Sequence, residues 1–254
     1  MDQGSYVAAS DGILQFAKLD VVNNNLANIN TTGYKKQILI GAERTFDETL
    51  ASQLASGDPY VKADYDRSHG VEEVGTYTDF SLGSIKETGN PFDVALNHPN
   101  DFFAVETGEG IQYTRAGNFT LNAEGTLITS EGYPVVGDGG ALVVDGSQAY
   151  ITASGALMVD GENVGTLQVT RFEDVQNLQP KGGCRFALRD GATTGENVEA
   201  NLVPGAVELS NVSAVSSIID LISTNRAFSL YEKTARTIDE MNNIAVQQVG
   251  RRTV

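Results

Sequence analysis

Apolar residues recur every three or four positions at both ends of the chain and every second position through its middle. Near the N-terminus, Ala9, Ile13, Phe16, Leu19, Val22, Leu26 and Ile29 fall on one stripe of a helix, and Ser10, Asp11, Lys18, Asp20 and Asn24 lie on the other side. The stripe stops at "NINTTGY". There Asn30, Thr31 and Thr32 compete for backbone hydrogen bonds and Gly33 accepts a positive φ without steric cost, so a helix ending near residue 29 is expected. Toward the C-terminus Val212, Val215, Ile219, Ile222, Tyr231, Ala235, Ile238, Met241, Ala245 and Val249 repeat the pattern, interrupted by Asn225 and Arg226. Ser210, Asn211 and Ser213 offer N-caps, and neither proline nor glycine occurs between Gly205 and Gly250. A helix from about 213 to 249 would be roughly 55 Å long at about 1.5 Å per residue. Periodic helices of that length belong more often to coiled coils or helical assemblies than to single globular domains.

Between the ends the period falls to two. "FDVAL", "DFFAVET", "IQYT", "GNFTLNAEGTLITSEGYPVVG", "ALVVD" and "ALMVDGENVGTLQVTRF" are short β-type runs separated by Gly, Asn, Asp or Pro, as antiparallel hairpins require. "NAEG" reads as a hairpin loop and Asp160-Gly161 as a tight turn. Residues 41 to 80 carry helical spacing in "AERTFDETLASQLASG" and weak patterning after it, and are expected to form an extended or partly ordered connector. Neither terminal stripe can be buried by a β domain lying between them in sequence, so the two helices are expected to pair. The fold predicted is α+β: paired long N- and C-terminal helices forming a coiled-coil-like inner domain, with a central, mostly antiparallel β domain.

Composition narrows the function. With 33 acidic against 17 basic residues the formal charge is −16, which repels phosphate backbones and anionic lipid surfaces over about a Debye length. Nucleic acid is therefore not an expected partner. No run of eighteen apolar residues exists, so no membrane insertion is expected, and the opening "MDQGSYVAASDGILQFAKLD" lacks the basic and apolar regions of a cleaved signal. Cys184 is the only cysteine, which excludes a disulfide framework and is read as a small buried side chain.

Candidate chemistry is sparse. His69 and His98 lie 29 residues apart with no helical or hairpin partner, and "HPND" at 98 to 101 reads as a turn. "DGENVG" lacks the ligand spacing of an EF-hand loop, no serine sits in G-x-S-x-G, and "TGEGIQ" is followed by neither lysine nor helix. No catalytic residue, cofactor or metal is assigned. A solvated acidic surface accounts for the carboxylates.

The motifs that remain carry a resemblance. "NNNLANINTTGYKK" (23 to 36), "FSLGSIKETGNPFDVAL" (80 to 96), "FFAVETGEGIQYTRAGNFTLNAEGTLITSEGYPVVG" (102 to 137) and "ELSNVSAVSSIIDLISTNRAFSLYEKTARTIDEMNNIA" (208 to 245) resemble the N-terminal, central and C-terminal signatures of the bacterial flagellar rod and hook axial family. The opening residues and "VTRFEDVQNLQPKGGCRFAL" look most like its proximal rod branch, with the distal rod and hook branches as alternatives. At "ALNHPNDFF" the chain departs from the family pattern, which usually places a glycine-containing turn before the paired aromatics.

The resemblance implies a structural, non-enzymatic subunit that self-associates helically into the periplasmic shaft carrying torque from motor to hook. Its partners would be the other axial rod proteins and the flagellar export apparatus, which it would traverse without a cleaved signal peptide. The implied division is 1–35 with 210–254 as an inner-tube helical domain, 36–80 with 181–209 as a connector, and 81–180 as a β-rich outer domain. Ile13, Phe16, Leu19, Leu26, Ile219, Ile222, Tyr231, Ala235, Ile238 and Met241 are expected to pack within and between subunits. Asn24, Asn25, Asn28, Asn225 and Arg226 are expected as polar contacts to neighbours, and Thr31, Thr32, Gly33 and Tyr34 as the bend where the chain leaves the helical layer. A secreted carbohydrate-binding or adhesin module and an acidic hydrolase are the readings from other classes; neither explains the two helical ends.

Overall fold

The computed structural model describes residues 3–43 and 71–250. Among the described residues there are two α-helices, α1 (Gln3–Ala27) and α2 (Ala214–Gly250), and nineteen strands. The helical spacing in residues 44–56 and most of the expected connector lie outside the described residues. What is described on either side of them is a two-stranded ribbon, Gln37–Glu43 with Val71–Thr78.

The architecture corrects the expected one. The helices make up about a quarter of the chain, and the fold is mostly β, organised by one large antiparallel sheet. A layer of paired helices does not define it. Ile13, Phe16, Ile219, Ile222 and Met241, expected at a helical seam, are exposed. The physical reason lies in which face of α2 is covered: Ser217 and Thr224 are buried and Leu221, Phe228, Tyr231, Ala235 and Ile238 half-buried, while Val215, Ile219, Ile222, Leu230 and Met241 lie off this line in water. The covered line mixes hydroxyl and small side chains with its apolar ones, and much of the helix's apolar area is left outside it. Gly12 of α1 is covered by the ring of Tyr231, which any side chain at position 12 would strike.

The chain forms two compact units: residues 1–26, 37–77 and 214–254, and residues 27–36 and 78–213. The second holds the six-stranded antiparallel sheet, in the order Leu178–Gly182, Arg185–Leu188, Gly110–Thr114, Asp101–Thr107, Val169–Arg171, Glu196–Val198. Successive side chains of a strand point to opposite faces, and the adjacent aromatics Phe102 and Phe103 use this to anchor two cores. Phe102 joins Phe80, Phe172, Leu178 and Phe186 in an edge-to-face aromatic cluster, with ring centroids 5.6 Å from Phe80 and 5.7 Å from Phe172. Phe103 stacks edge-on with Phe119 at 5.2 Å inside the larger aliphatic core that includes Leu127, Ile151, Leu157, Leu167 and Leu202.

Turn chemistry fixes the hairpins. Val159 pairs with Glu162, so Asp160-Gly161 is a two-residue loop, and its φ values of 49° and 92° are those a right-twisted hairpin needs at both centres. The Asp160 carboxylate also accepts from the amides of Ser147 (3.1 Å) and Gln148 (3.0 Å). Asn122 closes the "NAEG" loop by accepting from the amides of Glu124 and Thr126.

Tyr34, Cys184 and Val212 form a third, small cluster. Burial pushes the Tyr34 phenol up to about 12, with the neighbouring thiol adding to the effect. It likewise pushes the Cys184 thiol up to about 12, with the Glu131 carboxylate adding. The unfolded chain loses these protons from about pH 9 upward while the folded chain keeps them. The stability they contribute is therefore whole below about pH 9 and lost as pH rises toward 12. A Cys184→Ala, Tyr34→Phe double variant is expected to show a shallower alkaline fall in urea midpoint between pH 8 and 11 than the parent chain.

Candidate functional site: the chain bend and the outward helix faces

The bend after α1 is built by backbone geometry and closed by side chains. Thr31 N–H donates to Asn28 O (3.1 Å), its hydroxyl donates to Asn28 Oδ1 (3.1 Å), and Tyr34 N–H returns to Thr31 O (3.3 Å). Gly33 turns the chain at φ 71° and donates its N–H to Glu208 O at 2.8 Å. A side chain at this position would overlap the backbone of Arg115 and Ala116. Beyond it, Lys36 N–H donates to Asn211 Oδ1 (2.7 Å), and Asn211 Nδ2 donates to Asp79 O (2.8 Å).

Under the bend lies a buried charge cluster that sequence reasoning missed. Lys35 Nζ donates to Glu208 Oε1 (2.7 Å) and Ser81 O (2.6 Å). Arg115 donates Nε and Nη2 to Glu208 Oε2 at 2.9 and 2.7 Å, and Nη1 to the carbonyls of His98 (2.6 Å), Pro99 (3.1 Å) and Asp101 (2.6 Å). The Lys35 and Arg115 side chains are 0% exposed and that of Glu208 1%. Burial lowers the Lys35 pKa, with Arg115 pushing the same way and Glu208 opposing. The "HPND" segment is a turn, closed by Asp101 N–H to His98 O at 3.3 Å, and its carbonyls converge on this guanidinium. Asp101, itself buried, receives Arg171 bidentately at 2.6 and 2.9 Å. The available signal was Glu208 inside the apolar run "GAVEL" and Arg115 at the end of an alternating strand, charges placed where the pattern asks for core.

The expected packing residues take several different places. Ile13 (68% exposed), Phe16 (60%), Ile219 (60%), Ile222 (49%) and Met241 (64%) are exposed, as are Val215, Ile218, Leu230 and Ile244. Leu19, Leu26, Tyr231, Ala235 and Ile238 are half-buried. Asn225 and Arg226 line a shallow cleft on α2 with Leu221, Ile222 and Leu230. Asn24 is exposed and Asn28 half-buried. Asn25 is buried and works inside the chain: Nδ2 donates to Gln37 O (2.7 Å) and Oδ1 accepts from Gln37 N–H (2.9 Å), as a paired strand would. Of the bend residues, Gly33 and Tyr34 are buried and Thr31 and Thr32 half-buried.

Three family models match segments of this architecture: "Flagella basal body rod protein" over residues 6–35, "Flagellar hook protein FlgE/F/G D1 domain" over 99–176, and "Flagellar basal body rod FlgEFG protein C-terminal" over 203–248. The chain is 32% identical to flagellar basal-body rod protein FlgF of Caulobacter vibrioides, over 99% of both chains. The chain belongs to the flagellar basal-body rod protein family. It is also 30% identical to the flagellar hook-basal body complex protein FlhO of Bacillus subtilis, over 99% of this chain and 100% of the relative. To flagellar basal-body rod protein FlgG of Agrobacterium fabrum it is 31% identical, over 94% of this chain and 96% of the relative. Set against the rod-family segments, the buried cluster draws one residue from each: Lys35 ends the N-terminal match, Arg115 lies in the central one and Glu208 in the C-terminal one.

Gly33→Ala is expected to lower unfolding free energy by at least about 2 kcal/mol, because left-handed φ and a backbone collision add. Gly89→Ala, at φ 74° with open space around it, is expected to cost only about 1 kcal/mol. Urea midpoints of the two variants measure the difference.

Proposed function

We propose that the chain is a mechanical subunit of the flagellar basal-body rod, joining copies of itself and other axial rod proteins through the outward faces of α1 and α2. The observation that carries this is a row of large apolar side chains left in water along both helices, from Ile13 and Phe16 to Val215, Ile219, Ile222, Leu230 and Met241. A lone chain gains nothing by keeping these side chains in water, whereas such rows mark association surfaces. Burying each side chain is worth on the order of 1.5 to 3 kcal/mol, so a few suffice for firm attachment.

Family membership supports the structural role, and the names of the relatives support a place in the basal-body rod. To this reading belong a helical periplasmic shaft that transmits torque to the hook, a position in its proximal part, and delivery by the flagellar export apparatus without a cleaved signal. Residues 1–35 with 210–254 would then make the neighbour-facing domain, 36–80 with 181–209 the connector and 81–180 the outer domain. Asn24, Asn225 and Arg226, exposed beside the apolar rows, would set the register between neighbours.

An Ile219→Asp, Ile222→Asp variant is expected to keep its unfolding free energy within about 0.5 kcal/mol of the parent, as surface changes do. It is expected to assemble at least about tenfold less, by sedimentation and electron microscopy, and to fail to restore motility to cells lacking the parent chain. Unchanged assembly would exclude the helix faces as the joint.

A further inference from the structure

Lys35, Arg115 and Glu208 bury two cations on one carboxylate, and the assembly role proposed above needs none of them. Both carboxylate oxygens are fully used: Oε1 takes Lys35 Nζ and the Gly83 amide (2.8 Å), and Oε2 takes two donors of Arg115. The spare positive charge is absorbed by backbone carbonyls at Ser81, His98, Pro99 and Asp101. The two cations are delivered by parts of the chain 80 residues apart, and the one carboxylate bonded to both lies 93 residues after the second. Without Glu208 the bend and the central sheet would bring Lys35 and Arg115 together with only the more distant Asp79 carboxylate to offset them. An unpaired buried ion is among the costliest defects a fold can hold.

We propose that Glu208 is the closing bolt of a charge lock. The unit formed by residues 27–36 and 78–213 becomes stable only when this carboxylate, carried by the C-terminal part of the chain, seats between the cations set by the bend and the sheet. A chain whose C-terminal part has not yet arrived is held open by Lys35 and Arg115. The lock thus prevents an incomplete subunit from closing.

The test uses full-length protein and the shape-preserving Glu208→Gln, alone and with Lys35→Met. Amide exchange is read at residues 103–107 of the strand Asp101–Thr107 and in Arg185–Leu188, which contain none of the three residues and none of the carbonyls they bind. Glu208→Gln is expected to speed exchange there about a hundredfold or more. Lys35→Met is expected to speed exchange in the parent, where it removes a partner of Glu208. In the Glu208→Gln chain it is expected to slow exchange at least about tenfold, because it removes one of two unpaired cations. Should Glu208→Gln fail to fold, recovery of the near-ultraviolet circular dichroism signal by Lys35→Met reads the same change of sign. The lock is overturned if Lys35→Met destabilises both backgrounds alike or recovers no signal. It is also overturned if Glu208→Gln speeds exchange only near residues 33–36, 81–84 and 205–211. Either result leaves the helix-face assembly variants to be judged by themselves.

Discussion

A single carboxylate, buried between a lysine and an arginine, ties together three parts of this chain that are far apart in sequence. Glu208 receives the bend through Lys35 and the central sheet through Arg115, while its own carbonyl accepts from Gly33. Desolvating three charges is unfavourable, and a well-packed apolar cluster of the same volume would often be at least as stable. What ionic burial adds is exclusivity. Greasy side chains tolerate many neighbours, whereas two cations and a fork of carbonyls accept one arrangement.

That arrangement organises the surrounding backbone. Gly33 must be glycine because the bend presses on Ala116, and the strand Ala206–Glu208 must pair with Ile85–Glu87 in register for the carboxylate to point at the cluster. The strand Leu202–Pro204 pairs with Val94–Leu96 and feeds Leu202 into the large aliphatic core. Electrostatic and hydrophobic closure therefore happen on neighbouring strands of the same C-terminal segment, a little ahead of α2.

Much of this was legible in the chain. Period-two runs and their turn residues located the hairpins, down to Asp160-Gly161, and the period of three to four located both helices. The bend was readable because Asn, Thr and Gly have distinct backbone chemistry. What the pattern could not show is which face of a helix its own chain covers. On α2 the covered line contains Ser217 and Thr224, while Ile219 and Ile222 stay in water, so an expectation that apolar means inward gave the wrong architecture. Long-range ionic contacts were equally invisible, since nothing local to Lys35 announces a partner 173 residues away.

Arg115 has one more consequence, at the segment "HPND". The loop takes no positive φ; instead the oxygens of His98, Pro99 and Asp101 are gathered from within by one guanidinium. The loop is templated by a cation that reads only main-chain atoms. Of its outward side chains His98 shares the task, its Nδ1 accepting from the Asn100 amide at 3.3 Å, so a guanidinium inside and an imidazole outside hold one loop between them.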